Sequence, residues 1–210
     1  MNLRHQNLPS ARGLALLGFL LLASGTARAD QHLWHEAVLD GSQAGTYNAV
    51  IEIPKGSRQK YEVDKASGQI TLDRVISGRG YPLKYGLFAR TLGGDGDPLD
   101  VMVLGGNRVK PGAQSQVRII GMMEMIDAGE VDHKVLAVDV SSRRFASVRG
   151  IETLPAGVEA DVRDFFSNYK KPQGIVVTVG RFLGRTAAER EVRAGRIAYA
   201  KKFVTGAPKR

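Results

Sequence analysis

Cysteine is absent from the 210-residue chain. That excludes disulfides, thiolate metal centres and a lipid-modified N-terminus, and leaves the fold to stand on its core. Histidines number only four, and none lies near the densest carboxylate cluster, which argues against zinc there. Aromatic residues make up 7%, few for a surface that would bind single-stranded nucleic acid by stacking. The apolar run Leu14–Ala23 is ten residues long, too short for the roughly 20 that span a bilayer, so no stable membrane anchor is expected. Internal repeats, low-complexity tracts and linkers are also missing from residues 30–210, which read as a single domain.

What is present begins with a leader. Arg4 and Arg12 precede the leucine-rich run, and Ala27-Arg28-Ala29 places small residues at both cleavage-determining positions. This is the plan of a secretory signal peptide over residues 1–29. A mitochondrial presequence would also lack acids, but the compact leucine block disfavours it, and no twin arginine appears. The expected product starts at Asp30 and is exported, to the periplasm or beyond. Its loss of three arginines and no acid lowers the net charge from +9 to +6. A basic balance points towards an anionic partner: a phosphate compound, nucleic acid or a membrane surface.

Tyr47-Ala49-Ile51-Ile53 alternates with the period of a half-buried strand. Tyr61–Val63 and Ile70–Leu72 flank Lys65-Ala66-Ser67-Gly68, a hairpin with glycine at its bend. Leu99–Leu104, Gln116–Met125, Lys134–Val140 and Ile175–Phe182 read as further strands. Val158, Val162, Phe165, Phe166 and Tyr169 form one helical stripe after Pro155. A second helix is expected from Thr186, with Thr186-x-x-Glu189 as a capping box, through Val192, Tyr199 and Phe203. The fold class is therefore mainly β with two α-helices: a small closed, five-stranded, OB-like barrel with flanking helices.

The chemistry gathers at Asp95-Gly96-Asp97-Pro98-Leu99-Asp100. Like charges this close raise one another's pKa, and the arrangement becomes favourable when a hard cation sits among the oxygens. Gly96 permits a tight turn and Pro98 fixes φ, so the loop is stiff beforehand. An all-oxygen donor set fits Mg²⁺, with Mn²⁺ as the alternative. EF-hand spacing fails, because Leu99 and Asp100 stand where an acidic ligand and a glycine are required. Carboxylates recur in strand-like contexts at Glu52, Glu62, Asp127 and Asp132. Lys60 precedes Glu62 by two and Lys134 follows Asp132 by two, placing opposite charges on one strand face, as surface pairs or as a cavity lining. Glu130 reads as a solvated bend residue, and His133 as a group turned away from any cavity.

Taken in order, these segments resemble the soluble family I inorganic pyrophosphatases. The resemblance is carried by Asp95–Val101, Ile51–Ser57, Lys60-Tyr61-Glu62, Leu72-Asp73-Arg74, Tyr81-Pro82-x-x-Tyr85-Gly86, Asp127, Asp132-x-Lys134 and Phe165-Phe166-x-x-Tyr169-Lys170. Trp34-His35 resembles the family's lead-in, and the likeness covers about residues 32–182. It implies Mg²⁺-dependent hydrolysis of pyrophosphate to two phosphates. On that resemblance Asp95, Asp100 and Asp132 would hold one metal, with Asp100 serving a second. Asp127 and Asp132 would hold another that arrives with substrate, and Glu52 and Glu62 would orient metal-bound waters. Asp97 matches the general base, taking a proton from a water between two metals. Lys60, Arg74, Tyr85, Lys134, Tyr169 and Lys170 would bind the phosphates. The bacterial members imply a homo-oligomer, a hexamer, and no nucleic-acid partner.

Two positions depart from the pattern. Ala128 stands where many relatives have a second acid, and Gly174-Ile175 replaces a lysine and tryptophan before the last core strand. Both bear on affinity more than on activity. The rival readings are a catalytically degenerate exported binder of pyrophosphate or polyphosphate, a nucleic-acid-binding module, and a nonspecific phosphatase.

Overall fold

The structure is a computed structural model that describes residues 31–205; the expected leader and its cleavage point lie outside the described residues. Strands β1 (Tyr47–Ile53), β2 (Gln59–Val63), β3 (Ile70–Val75), β4 (Lys84–Phe88), β5 (Asp100–Leu104), β6 (Gln114–Asp127), β7 (Glu130–Val131) and β8 (Lys134–Asp139) precede helix α1 (Val158–Asn168). Strand β9 (Val177–Gly184) then leads directly into helix α2 (Arg185–Tyr199). The pairing runs β1–β4–β5–β8–β6 and returns to β1. Each of these five strands thus has two hydrogen-bonded neighbours, which closes the sheet and removes its edges. β5 and β8 run parallel. β7 and β9 extend the far end of β6, and β2–β3 form a separate hairpin. The barrel with two flanking helices is the architecture expected from the sequence.

The hairpin bend falls where its glycine predicts. Gly68 sits at φ +71°, and a Cβ there would collide with His32, so the position needs glycine both for conformation and for space.

Alternation along the strands sorts most of the buried residues into two sets, while Val50 of β1 and Leu87 of β4 join Leu33, Ala37 and Ala89 in a smaller third. Val101 and Val103 of β5, Val135 and Ala137 of β8, and Ala49 and Ile51 of β1 pack with Ala188 and Val192 of α2. Met102 and Leu104, Leu136 and Val138, and Met123 and Met125 pack with Val162, Phe165 and Phe166 of α1. A bulge in the β1–β4 register between Ile51 and Ile53 moves Ile53 into the second set. Burial of these side chains, at about 1.5–3 kcal/mol each, is the main stabilising term.

One expectation fails. The capping box at Thr186 does not form: Gly184 is the N-cap, no side chain caps the helix, and Glu189 instead accepts from the Arg185 Nε at 2.7 Å. Because β9 feeds straight into α2, Thr186 already lies inside the helix, where its hydroxyl cannot serve as a cap. Beyond Tyr199 the helix widens into a π turn, Ala200–Val204.

Candidate active site

The rows of the second core set turn polar at their ends. Asp100 continues Met102 and Leu104 on β5, Lys134 continues Leu136 and Val138 on β8, and Asp127 continues Met123 and Met125 on β6. Glu52 comes from the bulged part of β1. A cleft of about 340 Å³ opens there. Every candidate site residue named above lines it except Arg74.

Opposite charges inside the cleft are drawn together. The buried Lys134 ammonium, 2% exposed, donates to both Asp100 and Asp132. Its Nζ stands 5.8 Å from the centroid of the Tyr85 ring. Lys170 pairs with Asp127, whose Oδ2 also accepts from the Tyr169 hydroxyl at 3.1 Å. Lys60 pairs with Glu62 and donates to Asp73 at 3.0 Å. Glu52 accepts from the Val63 N–H at 2.8 Å, tying β1 to the hairpin.

Several ionisations are displaced. Burial, reinforced by Asp100, lifts Glu52 from 4.5 to about 8. Burial and the Asp100 charge also raise Asp132, against the pull of Lys134. Asp95 is raised by burial. Burial depresses Lys134, but Asp100 and Asp132 outweigh it and leave its pKa raised. Burial lowers Lys60, partly offset by Asp73. The hydroxyls of Tyr81, Tyr85 and Tyr169 stay protonated donors, since burial and neighbouring carboxylates raise all three.

Among the described residues, no three of these carboxylates converge as a ready-made metal cage. Asp100 and Asp132 lean on Lys134, Asp127 on Lys170 and Asp97 on Lys65. The donor chemistry nevertheless fits a hard divalent cation, because all the donors are oxygens. Asp127 Oδ1 is buried with no hydrogen-bond partner in the structure. An orphaned buried carboxylate oxygen is costly unless a cation or water meets it.

The loop carrying Asp95, Asp97 and Asp100 is fixed from several sides. Its Gly93 N–H donates to Asp97 O at 2.6 Å, and the Asp97 N–H donates to Asp95 Oδ1 at 3.0 Å. The Leu99 N–H donates to Thr91 Oγ1 at 2.9 Å. From outside the loop, the Trp34 indole donates to Thr91 O at 2.9 Å, and the Leu92 N–H donates to Gly195 O of α2 at 3.0 Å. A side chain at Gly195 would strike Leu99, so helix and loop approach closely only because that residue is glycine.

Arg74 lies opposite Lys60 in the β2–β3 register, but outside the cleft lining. Its Nη1 donates to Asp73 Oδ2 at 2.5 Å, the oxygen that also holds Lys60. Lys65, read from sequence only as part of a bend, lines the cleft and pairs with Asp97. Glu130 also reaches the cleft rim. His133 Nδ1 accepts from the Met125 N–H at 3.2 Å and does not line the cleft, in line with its expected orientation. Ala128, the departure next to Asp127, has φ +51° and lines the cleft.

Three comparisons meet at this geometry. The profile of the inorganic pyrophosphatase family matches residues 49–200. A soluble inorganic pyrophosphatase of Oryza sativa subsp. indica is 43% identical over 153 residues, covering 72% of each chain. One from Geobacillus stearothermophilus is 45% identical over 141 residues, 67% of this chain and 86% of its own. The crystal structure of the Thermus thermophilus inorganic pyrophosphatase superposes with TM-score 0.75 at 36% identity, covering 80% of this chain and 99% of that one.

Proposed function

The chain belongs to the inorganic pyrophosphatase family, and from that premise we propose that it hydrolyses inorganic pyrophosphate to two phosphates with Mg²⁺ and Asp97 as general base. The observation that carries the reading is Lys134, a buried cation held between Asp100 and Asp132 at the mouth of the barrel. Carboxylates able to take a hard cation and an ammonium able to take phosphoryl oxygens thus share one small cleft, which supports the reading.

Asp95, Asp100, Asp127 and Asp132 are the residues that would hold the divalent cations, with Glu52 and Glu62 supporting them. Such cations supply charge neutralisation and acidify coordinated water from 15.7 towards about 7. Lys60, Lys134 and Lys170 offer ammonium groups to phosphoryl oxygens, and Tyr85 and Tyr169 offer neutral hydroxyl donors. Arg74 assists from behind Lys60 through Asp73. Asp97, half-exposed in the cleft lining, takes a proton from the attacking water as its oxygen bonds to phosphorus. The bridging P–O bond breaks, and the leaving phosphate takes its electron pair against the lysine charges. Phosphoryl transfer needs positioning and charge stabilisation more than covalent chemistry. The exclusion of organic phosphates rests on the same geometry, since an ester group would leave cleft cations unpaired.

Phosphate release by purified residues 30–210 tests the reading. With Mg²⁺, release should be fast from pyrophosphate, far slower from ATP or phosphomonoesters, and absent after chelation. Comparable phosphomonoester rates would establish a nonspecific phosphatase. Tight pyrophosphate binding without release would establish a degenerate binder.

A further inference from the structure

A second, larger concavity of about 1260 Å³ shares only Tyr61 with the cleft. It lies between the β1–β2 connection, the β5–β6 connection and the turn after β8. Lys55, Arg58, Arg108, Lys110 and Arg144 line it, all exposed, and no aspartate or glutamate does. None of these five cations has a carboxylate partner among the described residues. Other cations of the chain do find carboxylates, as Arg181 does with Glu124, Arg196 with Asp40 and Lys170 with Asp127; what sets these five apart is that they share one hollow. A sixth cation, Lys84, lines the groove from a buried position. Its ammonium donates to Asp139 Oδ2 at 2.6 Å and Ser115 Oγ at 3.3 Å, and an ammonium has three protons to donate. Gly105 and Gly106, both at positive φ, wrap the loop over this pair, and a Cβ at Gly106 would strike Asp139.

Like charges gathered round one hollow repel one another and reduce stability, a cost that an anion in the hollow reverses. We propose that this groove binds an extended phosphate polyanion of the linear polyphosphate class, at a site distinct from the catalytic cleft. Size and charge decide the class. A diphosphate matches the 340 Å³ cleft in size, whereas the 1260 Å³ groove, lined by six cations, has more volume and more positive charge than a diphosphate would fill. A chain of phosphoryl groups carries roughly one charge per unit and meets cations from all three connections together. Nucleic acid would add bases that need stacking faces. Only Tyr61 and Phe145 are aromatic here, and the Arg144 guanidinium already covers the Phe145 ring, 5.1 Å from its centroid.

The test is binding of an end-labelled linear polyphosphate to the full mature chain, with Mg²⁺ in excess of phosphoryl groups, followed by fluorescence anisotropy. The double variant Arg58→Glu/Arg144→Glu should weaken binding at least tenfold and flatten its salt dependence. Its kcat/KM on pyrophosphate should be unchanged. Asp97→Asn should leave polyphosphate binding intact, separating the groove from the catalytic reading. Unchanged affinity in the double variant overturns the proposal. So does equal loss in Arg190→Glu/Arg193→Glu on α2, or equally tight binding of a single-stranded RNA of matched charge.

Discussion

Asp100 and Lys134 are register partners across the parallel pair β5–β8, so the backbone ladder itself sets the Lys134 ammonium against the Asp100 carboxylate. The pairing is a product of strand register, not of flexible side chains finding each other. Lys134 is essentially sealed from water and serves Asp132 as well. A buried charge deprived of its partner is strongly unfavourable.

Lys134→Met should therefore destabilise the metal-free protein by about 3–5 kcal/mol, because Asp100 and Asp132 lose their shared cation. Mg²⁺ should restore part of that loss by taking the lysine's place between the carboxylates. Thermal unfolding with and without Mg²⁺ measures both. An equal loss in either condition would mean the lysine acts by packing alone.

Asp97→Asn should fold, keep its Mg²⁺-induced rise in Tm, and lose about 10²–10⁴-fold in kcat. Asp97 is half-exposed at the cleft with Lys65 as its side-chain partner, so the neutral amide disturbs little else. Turnover near that of the parent at saturating Mg²⁺ would remove Asp97 from the base role.

Glu52 predicts a pH dependence with a definite sign. Its carboxyl titrates at about 8 in the folded protein against 4.5 ordinarily, through burial and then Asp100. Between those values the folded state keeps a proton that the unfolded chain has released, so rising pH weakens folding there. In chelator, Glu52→Gln should gain stability relative to the parent as pH climbs from 5 to 8, at about 2–4 °C of Tm per kcal/mol. With Mg²⁺ present the gap should narrow, since a cation favours the ionised carboxylate. A pH-independent gap in chelator would show that Glu52 ionises without cost.

Export predicts a mature chain beginning at Asp30. Intact mass or N-terminal sequencing of the protein from its native source reads this directly. Cytoplasmic protein retaining Met1 would refute processing.

Local chemistry made the acidic loop legible from sequence: Gly96 and Pro98 mark the turn, and three aspartates in six residues have few structural uses. Four of the five barrel strands, β1, β5, β6 and β8, were legible from their apolar patterns, with ends displaced by at most two residues; β4 was not, because Lys84–Phe88 is buried at every position and shows no alternation. Features set by register were not legible. A β2–β3 register shift between Lys60 and Tyr61 puts the Asp73 carboxylate between Lys60 and Arg74, and so Arg74 stands behind the cleft rather than in it. Lys65 reaches Asp97 only because the hairpin folds over the cleft, a contact across 32 positions that no local pattern encodes. The capping box at Thr186 matched its motif and still failed, because β9 already fixes where α2 begins.

The anchoring of the acidic loop by Trp34 and Gly195 also sets a timetable. The loop's aspartates are made in the middle of the chain, yet its outer restraints come from near the first described residues and from the penultimate turn of the last helix. During synthesis the carboxylates emerge long before α2 exists to hold them. The loop is therefore fully restrained only when the last helix docks, so a chain lacking α2 would hold these carboxylates from one side alone.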